Sequence, residues 1–460
     1  MRPRYLFLLS LLVLVTSFNL PCCSVAAAET ATWQAGTARV NVTPEKYIWM
    51  AGYGGRNRPA DGKLTDLWAK ALVLVDADGD RAVLVTLDLI GLSREFSQSV
   101  CSRLKERHGL ERQQIAFCCS HTHTGPALVR NLSPLHYLIV DKEQQDLIQE
   151  YTTTLEDRVV EVVGQALSKT APVRLSWGSG TATFAVNRRN NPSNQVPQLR
   201  AEGKLKGPQD HDVPVLAVRD AAGELRAVVF GYACHATVLS FYQWSGDYPG
   251  FAQIEFEKSH PGCLAMFWAG CGADQNPLPR RTVELAMEYG TRLAKAADEV
   301  LAKEMQVVEA DLKTHFREID LPLAELPSRE QIEQDAKSEN KYTAARAKML
   351  LARIDGGQPL SQTYPYPVET WQLGDKVQFV TLGGEVVVDF ALRLKSELRG
   401  TGTWVAGFSN DVMAYIASRR VLKEGGYEGG GAMVYYGLPT VWAPESEDMI
   451  IDEVHRQLSP

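Results

Sequence analysis

Paired cysteines are what this sequence lacks first: it has 8 cysteines in 460 residues, and no two stand as Cys-x-x-Cys. That excludes a thiolate metal cluster of the zinc-finger kind. Cys22 and Cys23 fall in an N-terminal leader, and Cys101, Cys118, Cys119, Cys234, Cys263 and Cys271 sit mostly in apolar runs, where cysteine behaves as a small buried hydrophobe. One disulfide is compatible with this set, with no pairing favoured. Basic excess is also missing. The net charge of −7 comes with no basic run, which removes nucleic acid and anionic membrane surfaces as favoured partners. Beyond the first residues no apolar run reaches the roughly 20 residues of a membrane span, so none is expected in the mature chain. There is no fixed-period repeat, low-complexity tract or Gly/Ser linker, which excludes solenoids and flexibly tethered modules.

What is present begins with a leader. Arg2 and Arg4 precede an apolar run from Tyr5 to about Val15, and Val25-Ala26-Ala27-Ala28 supplies small residues after it. That order is a secretory signal peptide over residues 1–28, with the mature chain starting near Glu29 in a periplasm or outside the cell. Asn19 and Pro21 break the run and argue against a retained anchor, and Pro21 and Cys22 are poor neighbours for a lipoprotein site at Cys23. The composition of the full chain, 45% hydrophobic and 22% charged, is that of a globular protein with a large core.

Short apolar strands alternate with helical stretches. Hairpins are predicted around Ala77-Asp-Gly-Asp, around Ala221-Ala-Gly-Glu within Pro214–Gly231, and around Gly374-Asp375 within Thr370–Gly383. Helices are predicted over Ser93–His108, closed by Gly109, and over Glu143–Ser168, Arg281–Glu304 and Ser328–Ile354, the last opened by a Ser328/Gln331 capping box. The fold class is α/β: layered mixed β-sheets flanked by helices in a single catalytic domain over residues 29–460. The segment from Ser328 to Pro367 reads as an insertion or lid over the site.

Three predicted strands run into metal-ligand residue types. Ile115-Ala-Phe-Cys-Cys leads to His121-Thr-His123, Ala227 through Cys234 leads to His235, and Val377 through Leu382 leads to Gly383-Gly384-Glu385. Two histidines and a glutamate form a known zinc shell with a position open for water. Singly the pieces are ambiguous. A histidine at a strand end is often a hydrogen-bonded core residue. His121, His123 or both could face a metal if the strand continues, because residues i and i+2 then point the same way. Glu385 could instead cap the helix predicted over Val387–Leu398.

Taken together, the chain resembles the catalytic, N-terminal domain of the neutral, non-lysosomal ceramidases, zinc amidases that cleave the N-acyl bond of ceramide. The resemblance rests on His121-Thr-His-Thr-Gly-Pro, Ala233-Cys-His-Ala-Thr, Gly246-Asp-Tyr-Pro-Gly, Gly272-Ala-Asp-Gln-Asn-Pro, Gly384-Glu385, and Tyr415-Ile-Ala-Ser followed by Tyr427-Glu-Gly-Gly. It implies Zn²⁺ held by His121, His235, Glu385 and Tyr415, with His123 an unligated neighbour that shuttles a proton. It also implies Arg188 and Tyr427 at the reacting carbonyl oxygen. Spacing alone proposes no role for Tyr415, and Arg189 competes with Arg188 for its place.

Two departures bear on substrate. Asn276 stands where the family motif Gly-Asp-Val-Ser-Pro has serine, and an amide cannot attack as an alcohol. The C-terminal β-sandwich of typical members is not expected before Pro460. The sequence therefore implies an exported zinc amidohydrolase acting on a small-molecule or lipid N-acyl substrate, ceramide or a relative. The alternatives are a zinc hydrolase of an ester or peptide bond and a non-catalytic binding homologue.

Overall fold

A computed structural model describes Met1 and residues 32–398 and 402–459; the leader expected over residues 1–28 lies almost wholly outside the described residues. Ala31–Pro460 forms one compact unit. Among the described residues no helix is long and apolar enough to cross a membrane.

The architecture is two stacked mixed sheets with helices on both outer faces. The larger sheet runs, in spatial order, Leu264–Ala269, Leu225–Tyr232, Asp212–Asp220, Ala171–Thr181, Trp33–Asn41, Trp68–Val75, Arg81–Leu87 and Ile115–Cys119. The smaller sheet is Leu312–Pro322, Thr363–Leu373, Val377–Leu382 and Gly402–Ala406. Alternation with period two explains the layering. Leu72, Leu74, Leu84 and Trp268 of the large sheet face Trp371, Phe379 and Trp404 of the small one in an apolar inner layer. The intervening Ala71, Val73, Val83 and Val85 point outward into the core under helices such as Lys142–Leu167.

The large sheet curls. Its terminal strands, Leu264–Ala269 and Ile115–Cys119, touch although they stand at opposite ends of the hydrogen-bonded order. The buried Lys70 marks the closure: its ammonium donates to the Ala265 carbonyl at 2.7 Å, several strands away in that order, and pairs with Glu257 at 2.8 Å. Sheet twist accumulated over many strands produces this approach.

Local predictions hold where caps and turns specify them. Helix Arg94–His108 has Ser93 accepting from the Phe96 amide and Gly109 in the left-handed region after its last turn. All three hairpins form. The predicted helix over Ser328–Ile354 is instead two helices, Arg329–Asp335 and Lys341–Asp355, because Asn340 caps the second by accepting from the Tyr342 and Thr343 amides. This pair packs behind residues 431–436 rather than lining the pocket described below, with the Tyr342 ring 5.3 Å from that of Tyr435. The six described cysteines are free and buried.

Where the two sheets meet, Glu369 is buried and accepts from Asn410 at 2.7 Å and Thr381 at 3.0 Å. Burial outweighs these partners and pushes its carboxyl up to about 7; Asp411, buried beside Tyr364, is also pushed up to about 7. The folded state therefore keeps protons that the unfolded chain has released, so the two groups weaken stability as pH rises from the ordinary carboxylate range through 7. The midpoint of thermal unfolding is expected to fall between about pH 5 and about pH 8. Glu369→Gln should flatten that slope, and calorimetry across the range measures both; an unchanged slope in the variant would rule Glu369 out as its source.

Candidate metal centre

The site lies beyond the carboxyl ends of four strands, two from each sheet, where side chains from different loops converge. The chain leaves Ile115–Cys119 with the Ser120 amide bonded to the Leu87 carbonyl and then turns at His121, whose φ is 58°. The expectation that His121 and His123 share a strand face therefore fails on its premise, since the strand has already ended. Both still face the site, because a bridge between Thr122 and Ala236 ties this loop to the one carrying His235, and the His123 amide donates to the Ala236 carbonyl at 3.1 Å. Sheet curling is what makes that bridge geometrically available.

Glu385 does not cap the following helix, which starts at Val388. It lies in the two-residue strand Glu385–Val386, paired in parallel with Tyr415–Ile416 so that Glu385 and Tyr415 are register partners. Gly384 permits this: its φ is +78°, and a Cβ there would sit 2.6 Å from Ile416 and 2.7 Å from the Ala414 carbonyl. Gly52, with φ +102°, similarly leaves room for the His123 ring, which a Cβ would meet at 2.5 Å.

The four residues implied by the resemblance come together. Side chains of His121, His235, Glu385 and Tyr415 are all buried. The Nδ1 of His121 lies 2.7 Å from the Ile90 carbonyl, and that of His235 lies 2.8 Å from the Gly272 carbonyl. A carbonyl only accepts, so each Nδ1 carries a proton, and in the neutral ring Nε2 presents its lone pair. Those Nε2 atoms lie 3.4 and 3.2 Å from Glu385 Oε2, and Tyr415 Oη is 3.3 Å from His235 Nε2. Glu385 Oε2 has no hydrogen-bond partner although it is buried. Lone pairs facing one another without an intervening proton make a nest for a cation. The donor set fits a divalent metal of borderline softness.

His123 belongs to the same cluster. Ligand atoms of His121, His123 and His235 lie within 4.8 Å of one another, so the three imidazoles could hold a metal ion. His123 differs in its other nitrogen: its Nδ1 is buried without a partner, so no carbonyl fixes its tautomer as Ile90 and Gly272 fix those of His121 and His235. Half-buried, it lines the pocket that opens onto the site, with Nε2 3.1 Å from His121 Nε2. Burial, reinforced by the neighbouring imidazoles, holds its pKa well below the usual histidine value. Arg56, buried beneath it, donates to the His123 carbonyl at 2.9 Å.

Arg188 and Arg189, adjacent in sequence, are separated by the structure. Arg188 donates from Nη2 to Tyr415 Oη at 3.1 Å, from Nη1 to Asn276 Oδ1 at 3.3 Å and from Nε to Glu428 at 2.7 Å. Burial opposes its charge, and Tyr415 and Glu428 outweigh burial, so the guanidinium stays charged. Arg189 turns to Glu424 and Glu428. Tyr427 is 48% exposed at the mouth, its ring 5.3 Å from that of Tyr415 and under the Arg188 guanidinium. Asn276 is thus in the pocket wall, its oxygen accepting from Arg188 and its NH₂ left as a donor.

Sequence reasoning missed two participants. Glu428 holds both arginines; its position directly after Tyr427 was the available signal. Tyr436 donates a short hydrogen bond to Glu385 Oε1, leaving Oε2 for the cation. No local pattern marks it, since it is one of several tyrosines near a glycine-rich turn. Other motif residues prove structural. Asp247 accepts from the Leu239 amide at 2.8 Å and so braces the loop after His235, while Asp274 ties Asn187 to the helix start at Val388. Tyr436→Phe is expected to weaken metal binding about 10- to 100-fold with little change in fold, because it removes the bond that orients a ligand carboxylate. Chelator competition measures this, and unchanged affinity would show that Tyr436 does not orient Glu385.

Fold and site together define a mixed α/β protein with a buried histidine–carboxylate nest at the end of an open pocket. The family model for the neutral/alkaline non-lysosomal ceramidase N-terminal domain matches residues 33–267. The chain belongs to that family. It is 23% identical over 250 residues to neutral ceramidase A of Dictyostelium discoideum, an alignment covering 52% of this chain and 34% of that protein. Against the neutral ceramidase of Drosophila melanogaster it is 24% identical over 237 residues, covering 50% of this chain and 33% of that one. The alignments thus span about a third of these relatives' length. The crystal structure of neutral ceramidase from Pseudomonas aeruginosa superposes with a TM-score of 0.70 at 20% identity, covering 92% of this chain and 73% of that one. A ceramidase complexed with C2 gives a TM-score of 0.72 at 18% identity, covering 92% and 74%. The matched family region contains His121, His123, Arg188 and His235 and ends before Glu385, Tyr415 and Tyr427.

Proposed function

We propose that this chain is an exported zinc-dependent amidohydrolase that cleaves the N-acyl bond of ceramide or a related N-acyl compound. Family membership supports hydrolysis of a linear amide. The observation that carries the metal is the unpartnered Glu385 Oε2 facing the Nε2 atoms of His121 and His235. When bound, zinc supplies Lewis-acid polarisation of a carbonyl and acidification of water.

This chain's own residues would do the rest. Arg188 and Tyr427 donate to the oxygen that gains negative charge as the amide carbon becomes tetrahedral, with the guanidinium oriented by Glu428 and Asn276. His123 takes a proton at Nε2 from the attacking water and returns it to the leaving amine. Its unanchored Nδ1 suits that task better than permanent ligation. Tyr415 would offer its hydroxyl oxygen to the cation; burial, reinforced by the Glu385 charge, raises its pKa well above the ordinary value, and a bound divalent cation would pull it back down. Asn276 in place of serine leaves water as the nucleophile. Export is supported by the sequence pattern of residues 1–28 and is checked by N-terminal sequencing of the protein recovered outside the cytoplasm.

The test uses purified processed protein, its zinc content measured by elemental analysis, offered a fluorescent ceramide, a short N-acyl amino acid and a simple ester. Stoichiometric zinc with amide turnover is expected. Zinc without turnover of any substrate would leave a binding homologue, and ester cleavage alone would replace the amidase.

A further inference from the structure

The pocket leading to the metal nest has a volume of about 640 Å³, large enough for a small-molecule substrate. Its wall is unusual for a lipid site: no Leu, Ile, Val, Met or Phe is among the lining residues, and four arginines are. Two of them are neutralised, since Arg188 and Arg189 pair with Glu428 and Arg189 also with Glu424. Arg280 and Arg281 are not. Among the described residues neither has a carboxylate within ion-pair distance; Arg280 donates to the Thr237 hydroxyl at 3.1 Å and Arg281 to the Tyr53 hydroxyl at 2.8 Å.

Both partners connect to the site. Thr237 follows His235 by two residues, and the Tyr53 ring lies 4.8 Å from that of His123. Arg281 is held in the left-handed region with φ 98°, uncommon for a side chain of its size, by its amide bonding the Val238 carbonyl at 2.7 Å. The nearby Asp247 carboxylate is occupied by the amides of Val238, Leu239 and Tyr248. Burial first, then the charge of Arg281, lower the pKa of Arg280, and Asp247, already held by three amides, only partly offsets them. A pocket with neutral hydroxyl partners for two cations and no aliphatic wall recognises negative charge rather than a hydrocarbon tail.

We infer that Arg280 and Arg281 form an anion-binding subsite, so that the substrate amide carries a carboxylate or phosphate beside the bond to be cleaved. This inference rests on the amidohydrolase reading for the reaction but not for the binding. Zinc-loaded protein is titrated calorimetrically with butanoyl-glycine, its neutral methyl ester and butanoyl-O-phosphoethanolamine. The anionic ligands are expected to bind at least about 10-fold more tightly than the ester. The better of the two identifies the group as carboxylate or phosphate. Arg280→Gln and Arg281→Gln should each erode that preference and the double variant abolish it, with melting temperature held near the parent's. Equal binding of ester and anions, binding of none, or a preference surviving the double variant would overturn the subsite. Hydrolysis is scored separately: an anion preference without turnover sinks the amidase and leaves the subsite standing.

Discussion

His235→Ala is expected to lose zinc altogether and with it at least about 10³-fold in amide turnover, whereas Tyr415→Phe should retain zinc at weakened affinity with a smaller loss of rate. The difference follows from what each side chain offers. His235 presents a neutral lone pair, since burial first and the Arg188 charge second push its pKa down to about 4, and the Gly272 carbonyl fixes its tautomer. Removing the ring takes away a donor whose tautomer is fixed, leaving Glu385 Oε2 buried with one anchored imidazole fewer and only His123, whose Nδ1 no carbonyl anchors, nearby. Tyr415 contributes a single oxygen that also accepts from Arg188, and phenylalanine preserves the packing of its ring. Elemental analysis of dialysed variants, read with kcat on the same samples, separates the two. Full zinc and full activity in both variants would remove the assignment of the nest as the metal centre.

Arg188→Met is expected to lower kcat by about 10²- to 10³-fold while changing KM little, because in the proposed reaction its donors would serve an oxygen charged only as the reaction proceeds. The hydrogen-bond geometry sharpens this. Arg188 follows a short strand, Ala185–Asn187, whose pairing with Gln275–Pro277 sets Asn276 opposite Val186, and the Arg188 side chain reaches back from the strand end to the Asn276 oxygen. Glu428 fixes the guanidinium from the other side. Glu428→Gln should therefore cost less than Arg188→Met, since the charge remains and only its aim is loosened. Arg189→Met, which leaves Glu428 paired with Arg188, should cost stability more than rate. A KM effect that outweighed the kcat effect for Arg188→Met would reassign that residue to ground-state binding.

The sequence made parts of this site legible because some signals are local. His121 and His123 follow an apolar strand, His235 follows another, and Glu385 follows two glycines after a third; each is read within a few residues. Others are not local at all. Tyr415 becomes a neighbour of Glu385 through parallel pairing of two-residue strands thirty positions apart, and strands that short leave no periodic trace. Tyr436 reaches Glu385 from the end of the turn over residues 431–435, against which the distant helix Lys341–Asp355 packs. The helix predicted after Ser328 breaks in two because the Asn340 cap lies hidden within a run of helix-favouring residues.

What the sequence determined by itself is therefore the inventory: α/β layering from period-two strands, hairpins from turn residues, helix ends from caps, and the residue types able to bind a metal. The tertiary structure alone decided their assembly. Loops from opposite ends of the large sheet meet because accumulated twist curls it until its terminal strands touch, and register, not spacing, aligns Glu385 with Tyr415. Hydrogen bonds donated by Nδ1 to backbone carbonyls more than thirty residues away then decide which imidazole nitrogens keep their lone pairs, and no pattern of neighbouring residues encodes that choice.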